Sequence, residues 1–132
     1  MPIIKGSGLV REWTRDVTGL DSTLTVAITF PSQGSNWTGQ VIEIHASGGT
    51  SNSGSILYGM FLRYFCVTLG SINMITDGAQ DLSSGCSESI AAAGMVLTAT
   101  LTGPSSWGFA SVFVRTISAV SNGIPTGVVV TT

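Results

Sequence analysis

Charge is what this sequence has least of. Only 9% of its 132 residues are Asp, Glu, Lys or Arg, against about 25% in a typical soluble domain. Five Lys+Arg residues and a formal net charge of −2 exclude a basic nucleic-acid footprint, which needs clustered cations to neutralise phosphates. A single histidine, His45, and a single lysine, Lys5, leave many catalytic schemes without their parts. Two cysteines, Cys66 and Cys86, are too few for a disulfide framework and read as free thiols. With His45 alone they show no zinc spacing, so no metal or other cofactor is expected.

Targeting and membrane signals are scarce as well. Met1 to Gly8 has no charged start followed by an apolar run, and so reads as no secretory signal. The longest apolar stretch, Ile56 to Ile75, carries Arg63 near its centre. An arginine at mid-bilayer costs about 2.5–3.5 kcal/mol, and the aromatic and β-branched content suits buried strands, so no membrane span is expected. The sequon Asn36-Trp37-Thr38 matters only in a glycosylating host.

Helical periodicity is also missing; Ile90-Ala91-Ala92-Ala93, stopped by Gly94, is the one helix-friendly piece. What is there instead is period two. From Ser22 to Phe30 the residues Leu24, Val26, Ile28 and Phe30 share one face against Thr23, Thr25, Ala27 and Thr29, a half-buried strand. Met95 to Thr102 repeats the pattern, and Leu9–Val17, Val41–Ala46, Met60–Leu69, Ser71–Ile75, Ala110–Ile117 and Gly127–Thr131 are further strand candidates. Gly-, Ser- and Pro-rich turns separate them. The prediction is all-β: an antiparallel, jelly-roll-like β-sandwich of about eight strands over residues 11–132, preceded by an arm at residues 1–10.

No reaction is legible. Glu43 with Asp77 or Asp81 offers the two carboxylates a glycosidase needs, but any seven acids offer such pairs, and the plainer reading is that they solvate turns and strand faces. His45 lies two residues from Glu43, yet no Gly-x-Ser-x-Gly elbow accompanies it. Asp77–Asp81 lacks the ligand ladder of a calcium loop. Gly49–Ser55 has the glycine spacing of a phosphate loop without its lysine. The chain is therefore expected not to be an enzyme. Trp37, Tyr58 and Trp107 sit beside turn residues, where aromatics either stack on a glycan or receptor or simply close the ends of a sandwich.

So little charge leaves the outward strand positions to Thr, Ser, Ala and Val. Bare, uncharged edges are a self-pairing hazard unless something covers them, and copies of the same chain are the economical cover. A homo-oligomer is expected, with a contact of the usual size burying about 800 Å² per partner.

In style the chain resembles small β-sandwich proteins of bacteriophage virion surfaces: capsid decorations, head fibres and tail-fibre tips. The residues that carry the likeness are Ser22–Phe30, Val96–Thr102 and Ile124–Thr132, all rich in Ser and Thr and poor in charge. The resemblance implies a non-enzymatic, trimeric virion component assembled in the bacterial cytoplasm, a capsid decoration or head-protruding protein ahead of a receptor- or carbohydrate-binding tail-fibre tip. Its implied partners are other virion proteins such as the major capsid protein, and on the second reading a host surface glycan. Ile3, Ile4, Lys5 and Leu9, around the flexible Gly6-Ser7-Gly8, are the expected docking arm.

Overall fold

The computed structural model describes residues 10–30, 38–50, 56–68, 70–120 and 129–131. Nine strands lie among them: β1 (Val10–Leu20), β2 (Thr23–Thr29), β3 (Thr38–Gly49), β4 (Leu57–Thr68), β5 (Ile72–Leu82), β6 (Ser87–Ala93), β7 (Val96–Thr102), β8 (Trp107–Val120) and β9 (Val129–Thr131). They form a five-stranded sheet in the order β1-β8-β3-β4-β5 and a four-stranded sheet in the order β6-β7-β2-β9. Every pairing is antiparallel. No helix among the described residues is long and apolar enough to cross a membrane. The predicted β-sandwich is the observed architecture.

The alternation read from the sequence is what closes the core. Leu24, Val26 and Ile28 of β2 and Leu97, Ala99 and Leu101 of β7 face inward from the four-stranded sheet. They meet Ile42, Ile44 and Ala46 of β3, Met60, Leu62 and Tyr64 of β4, and Val112 and Val114 of β8. Period two means that each such strand commits one whole face to this layer. Polar contacts also cross between the sheets or their connections. The Tyr64 hydroxyl on β4 donates to Glu88 Oε2 on β6 at 2.5 Å, and the Ile72 amide donates to the Gly94 carbonyl at 2.7 Å.

Two stretches take a form that their composition alone does not suggest. The alanine run before Gly94 is not helical; it is the end of β6, paired in register with β7 through Ala93↔Val96. Gly94 supplies φ 59° in the two-residue connection, a hairpin device that outweighs the weak helix propensity of three alanines. Asp77 to Asp81 is strand rather than loop, because β5 runs on to Leu82 against β4 through a register shift at Arg63/Tyr64. Nine strands among the described residues agree with the expected number of about eight, β6 being the one the periodicity did not reveal.

Both cysteines are free thiols; Cys66 is buried and Cys86 half-buried. Burial pushes the Cys66 thiol up to about 12. Burial, and then the hydrogen bond to Glu88 and the neighbouring charges of Glu88 and Asp77, raise the Tyr64 hydroxyl above its ordinary 10.0. In both groups the fold favours the protonated form. Their contribution is whole below the unfolded values and is lost as the pH rises from there toward the folded ones. The melting temperature is thus expected to fall from about pH 9 upward, and to fall less steeply in Cys66→Val. Iodoacetamide at about pH 8 should leave Cys66 unmodified until the protein unfolds. A flat melting profile from pH 8 to 11, or native-state labelling of Cys66, would contradict this.

Candidate functional site

With one face of each sheet spent on the core, chemistry is left to the two outer faces, and these differ sharply. On the four-stranded sheet every outward position of the three full strands is small and uncharged. They are Thr23, Thr25, Ala27 and Thr29 on β2, Val96, Thr98, Thr100 and Thr102 on β7, and Ser87, Ser89, Ala91 and Ala93 on β6. On the five-stranded sheet the strand register lines the outward side chains into rows that cross the strands. One row is charged: Glu12, Arg115, Glu43 and Arg63 stand side by side on β1, β8, β3 and β4, with the signs alternating. The sparse charge of the chain is therefore concentrated rather than dispersed.

The row beside it is aromatic. Phe113, His45 and Phe61 are in register on β8, β3 and β4, with Thr14 on β1 and Asp81 on β5 at the two ends. The His45 ring lies 4.5 Å from that of Phe61 and 5.4 Å from that of Phe113. It is held on its own strand by Glu43, whose Oε1 is 3.6 Å from His45 Nε2. The Arg63 guanidinium sits 5.7 Å from the Phe61 ring centre, a cation–π placement.

The next row is small: Asp16, Ser111, Ser47 and Gly59. Ser111 Oγ donates to Asp16 Oδ1 at 2.6 Å. Beyond Gly59, Ser83 clasps the main chain of that glycine, its hydroxyl 2.8 Å from the Gly59 amide and 3.0 Å from its carbonyl. A row of small residues beside a row of rings leaves a groove at right angles to the strands. Its first part is a depression of about 550 Å³ bordered by Thr14, Asp16, His45, Ser47, Ser111 and Phe113, with Arg15 also at its margin. A second, of about 410 Å³, continues it past Gly59 and Phe61 to Asp81 and Ser83. Ala46, Met60 and Val112 also touch these cavities; their side chains are buried in the core, so the floor there is main chain.

Of the residues singled out from sequence, His45 and Asp81 lie at the groove; the others fall elsewhere. Tyr58 and Trp107 are 5% and 0% exposed and pack on each other edge to face at 4.7 Å. The Tyr58 hydroxyl donates to the Ser105 carbonyl at 3.2 Å and to that of Ser106. These rings fasten the β7–β8 connection onto β4 and present no stacking face to solvent. Trp37 and the arm residues Ile3, Ile4, Lys5 and Leu9 lie outside the described residues. Asp77 is in register with Tyr64, on the side of β5 opposite Asp81, so Glu43 and Asp77 do not face one cleft. Ser47 follows His45 along the same face without a hydrogen bond between them. Among the described residues no cluster of three or more His, Cys, Asp or Glu could hold a metal ion. Phe61, Phe113 and Asp16 are the groove residues that sequence reasoning missed. Their one signal was the outward parity of three separate strands, which has no meaning until those strands are known to be neighbours.

No protein-family model matches the sequence, and no curated protein matches it. In fold it is similar to two solved structures. The Acinetobacter phage vB_ApiP_P1 tailspike protein matches 95% of this chain over 24% of its own, at 20% identity and a TM-score of 0.50. The Acinetobacter baumannii phage AM24 tailspike protein matches 95% of this chain over 30% of its own, at 14% identity and a TM-score of 0.53. The chain thus spans less than a third of either protein.

Two outcomes follow from this placement. Trp107→Ala should cost about 3–5 kcal/mol in urea unfolding, the toll of emptying a sealed core site, whereas a ring that served only to bind ligand would cost well under 1 kcal/mol. Glu43→Lys sets three cations in a row with Arg63 and Arg115 and should cost about 1 kcal/mol, relieved by high salt. Salt-independent loss would refute the charged row.

Proposed function

We propose that this chain is a non-enzymatic structural module of a phage virion, associated with the tail, which assembles with copies of itself through the uncharged face of its four-stranded sheet. The observation that carries the reading is the shared fold: nearly the whole chain superposes on a quarter to a third of two phage tailspike proteins. That likeness favours a tail placement over the capsid-surface placement that composition alone suggested. A virion module also accounts for a face that a lone soluble domain has no reason to keep.

The physics of that face supports assembly. An edge strand is normally protected by charge, proline or a bulge. The edges of the five-stranded sheet have it: β1 carries Arg11, Glu12, Arg15 and Asp16, and β5 carries Asp77 and Asp81. The β6 edge carries Glu88 alone, and that side chain is held by Tyr64. Three seven-residue strands present a patch of roughly 24 by 14 Å, less than half of the ~800 Å² that one standard partner contact buries. The face is thus part of a contact, and three copies around an axis, each lending the face and the β6 edge, is the arrangement we favour.

Sedimentation velocity over a micromolar concentration series tests this. The wild-type chain should sediment as an oligomer, and Ser89→Arg with Thr100→Arg should release folded monomers. A wild-type chain that stays monomeric throughout the series overturns the reading.

A further inference from the structure

The groove on the five-stranded sheet lies on the opposite side of the sandwich from the proposed assembly face, so association through that face leaves it open. Its chemistry restricts what it can hold. We propose that it is a binding site for a neutral glycan chain laid across the strands, with Phe113, His45 and Phe61 as the stacking wall and Asp16 and Asp81 as hydroxyl acceptors at its two ends. The site is read from the strand register and ring geometry of the five-stranded sheet and stands whether or not the chain assembles.

Four features converge on that ligand class. The wall offers three rings in one row, with His45 4.5 Å and 5.4 Å from its neighbours and tilted to them by 46° and 69°, so that it presents ring faces and edges in turn rather than one flat platform; such aromatic surfaces favour ligands with an apolar face and a polar rim. The ends are carboxylates, which only accept hydrogen bonds when ionised; a sugar supplies donors for Asp81 and for the Asp16 oxygen that Ser111 leaves free, and two carboxylates against the single cation Arg15 leave the lining net negative, which disfavours an anionic chain. The floor, Ser111, Ser47 and Gly59, adds hydroxyls and leaves room above the main chain. A Cβ on Gly59 would meet nothing closer than the Ala46 carbonyl at 3.4 Å, so the glycine is not required by the backbone there, and its lack of a side chain keeps the groove open.

The direction of the groove argues against a peptide. Strand addition needs a free sheet edge, whereas here the groove crosses the face of five strands whose main chains are already paired with one another. Its run from β1 to β5, four inter-strand spacings, is about 19 Å, enough for a short oligosaccharide and too long for a single sugar. Leu57, 67% exposed, stands on β4 one step beyond Gly59 on the same side and extends the apolar margin.

The test uses the wild-type chain on an array of neutral tetra- to hexasaccharides, with acidic oligosaccharides and peptides printed alongside, followed by calorimetric titration of the strongest neutral ligand. Binding to a neutral glycan should weaken at least tenfold in Ser47→Trp and in Gly59→Leu, which fill the groove, and in Phe113→Ala, which removes part of its wall. Thr76→Trp, exposed on β5 opposite Phe65 and beyond the charged row, should leave it unchanged. Should a groove-filling variant melt early, Asp16→Ala with Asp81→Ala, which removes both acceptors without added bulk, should weaken neutral binding in the same way. Retention of no neutral glycan, retention of acidic glycans or peptides alone, or neutral binding undiminished in the groove variants, overturns the proposal. None of these results bears on the sedimentation test of assembly.

Discussion

The structure depends on the sealing of one apolar layer between two sheets. A strand has only two sides, and in this chain the inward side is mostly Leu, Ile, Val, Ala, Met and Tyr, with Gln40, Thr68, Thr116 and Ser118 also buried there. Sheets facing each other across about 10 Å leave little space between them; the cavity bordered by Trp13, Val112, Val114 and Val130, at the β1 edge, is only about 150 Å³. Whatever the molecule recognises must therefore meet it on an outer face or at an edge. The large rings obey the same constraint. Trp107 and Tyr58 could have been surface platforms by sequence, but the connection from β7 to β8 folds over them, and they become the sealed end of the core.

With the interior closed, the division of labour between the outer faces becomes the informative feature. One face has every outward position on β2, β6 and β7 small and neutral. The other gathers Glu12, Asp16, Glu43, Asp81, Arg63 and Arg115 with a row of rings. Scarcity of charge in the whole chain thus conceals a strong asymmetry. A neutral, hydroxyl-rich face is inexpensive to bury against another protein, since Ser and Thr lose little rotamer freedom and can bond across strands. A face with charges and a groove is suited to remain in water. The two proposed roles, assembly and ligand binding, fall on opposite sides of one sandwich and do not compete for the same surface.

Much of the fold was legible because its strongest segments alternate without exception. β2 and β7 could be read residue by residue, including which side chains would be buried, and the neighbour each found is the other. β6 was illegible because Ser-Glu-Ser-Ile-Ala-Ala-Ala has neither a β-branched run nor a regular alternation; it is a strand since β7 offers it a ladder, a tertiary reward that propensity does not contain. β5 was legible only in part, because Asp77-Gly78-Ala79-Gln80-Asp81 has the composition of a turn and is held straight by pairing with β4.

What the amino-acid order determined unaided is the period: an all-β chain, the face on which each major strand would be buried, and a surface poor in charge. What tertiary structure alone decided is adjacency. A period of two specifies which way a side chain points and says nothing about which strand lies beside it. Phe61, His45 and Phe113 come from positions far apart in the chain, as do Asp16, Ser111 and Gly59. Only the order β1-β8-β3-β4-β5 and its register turn them into a wall and a floor.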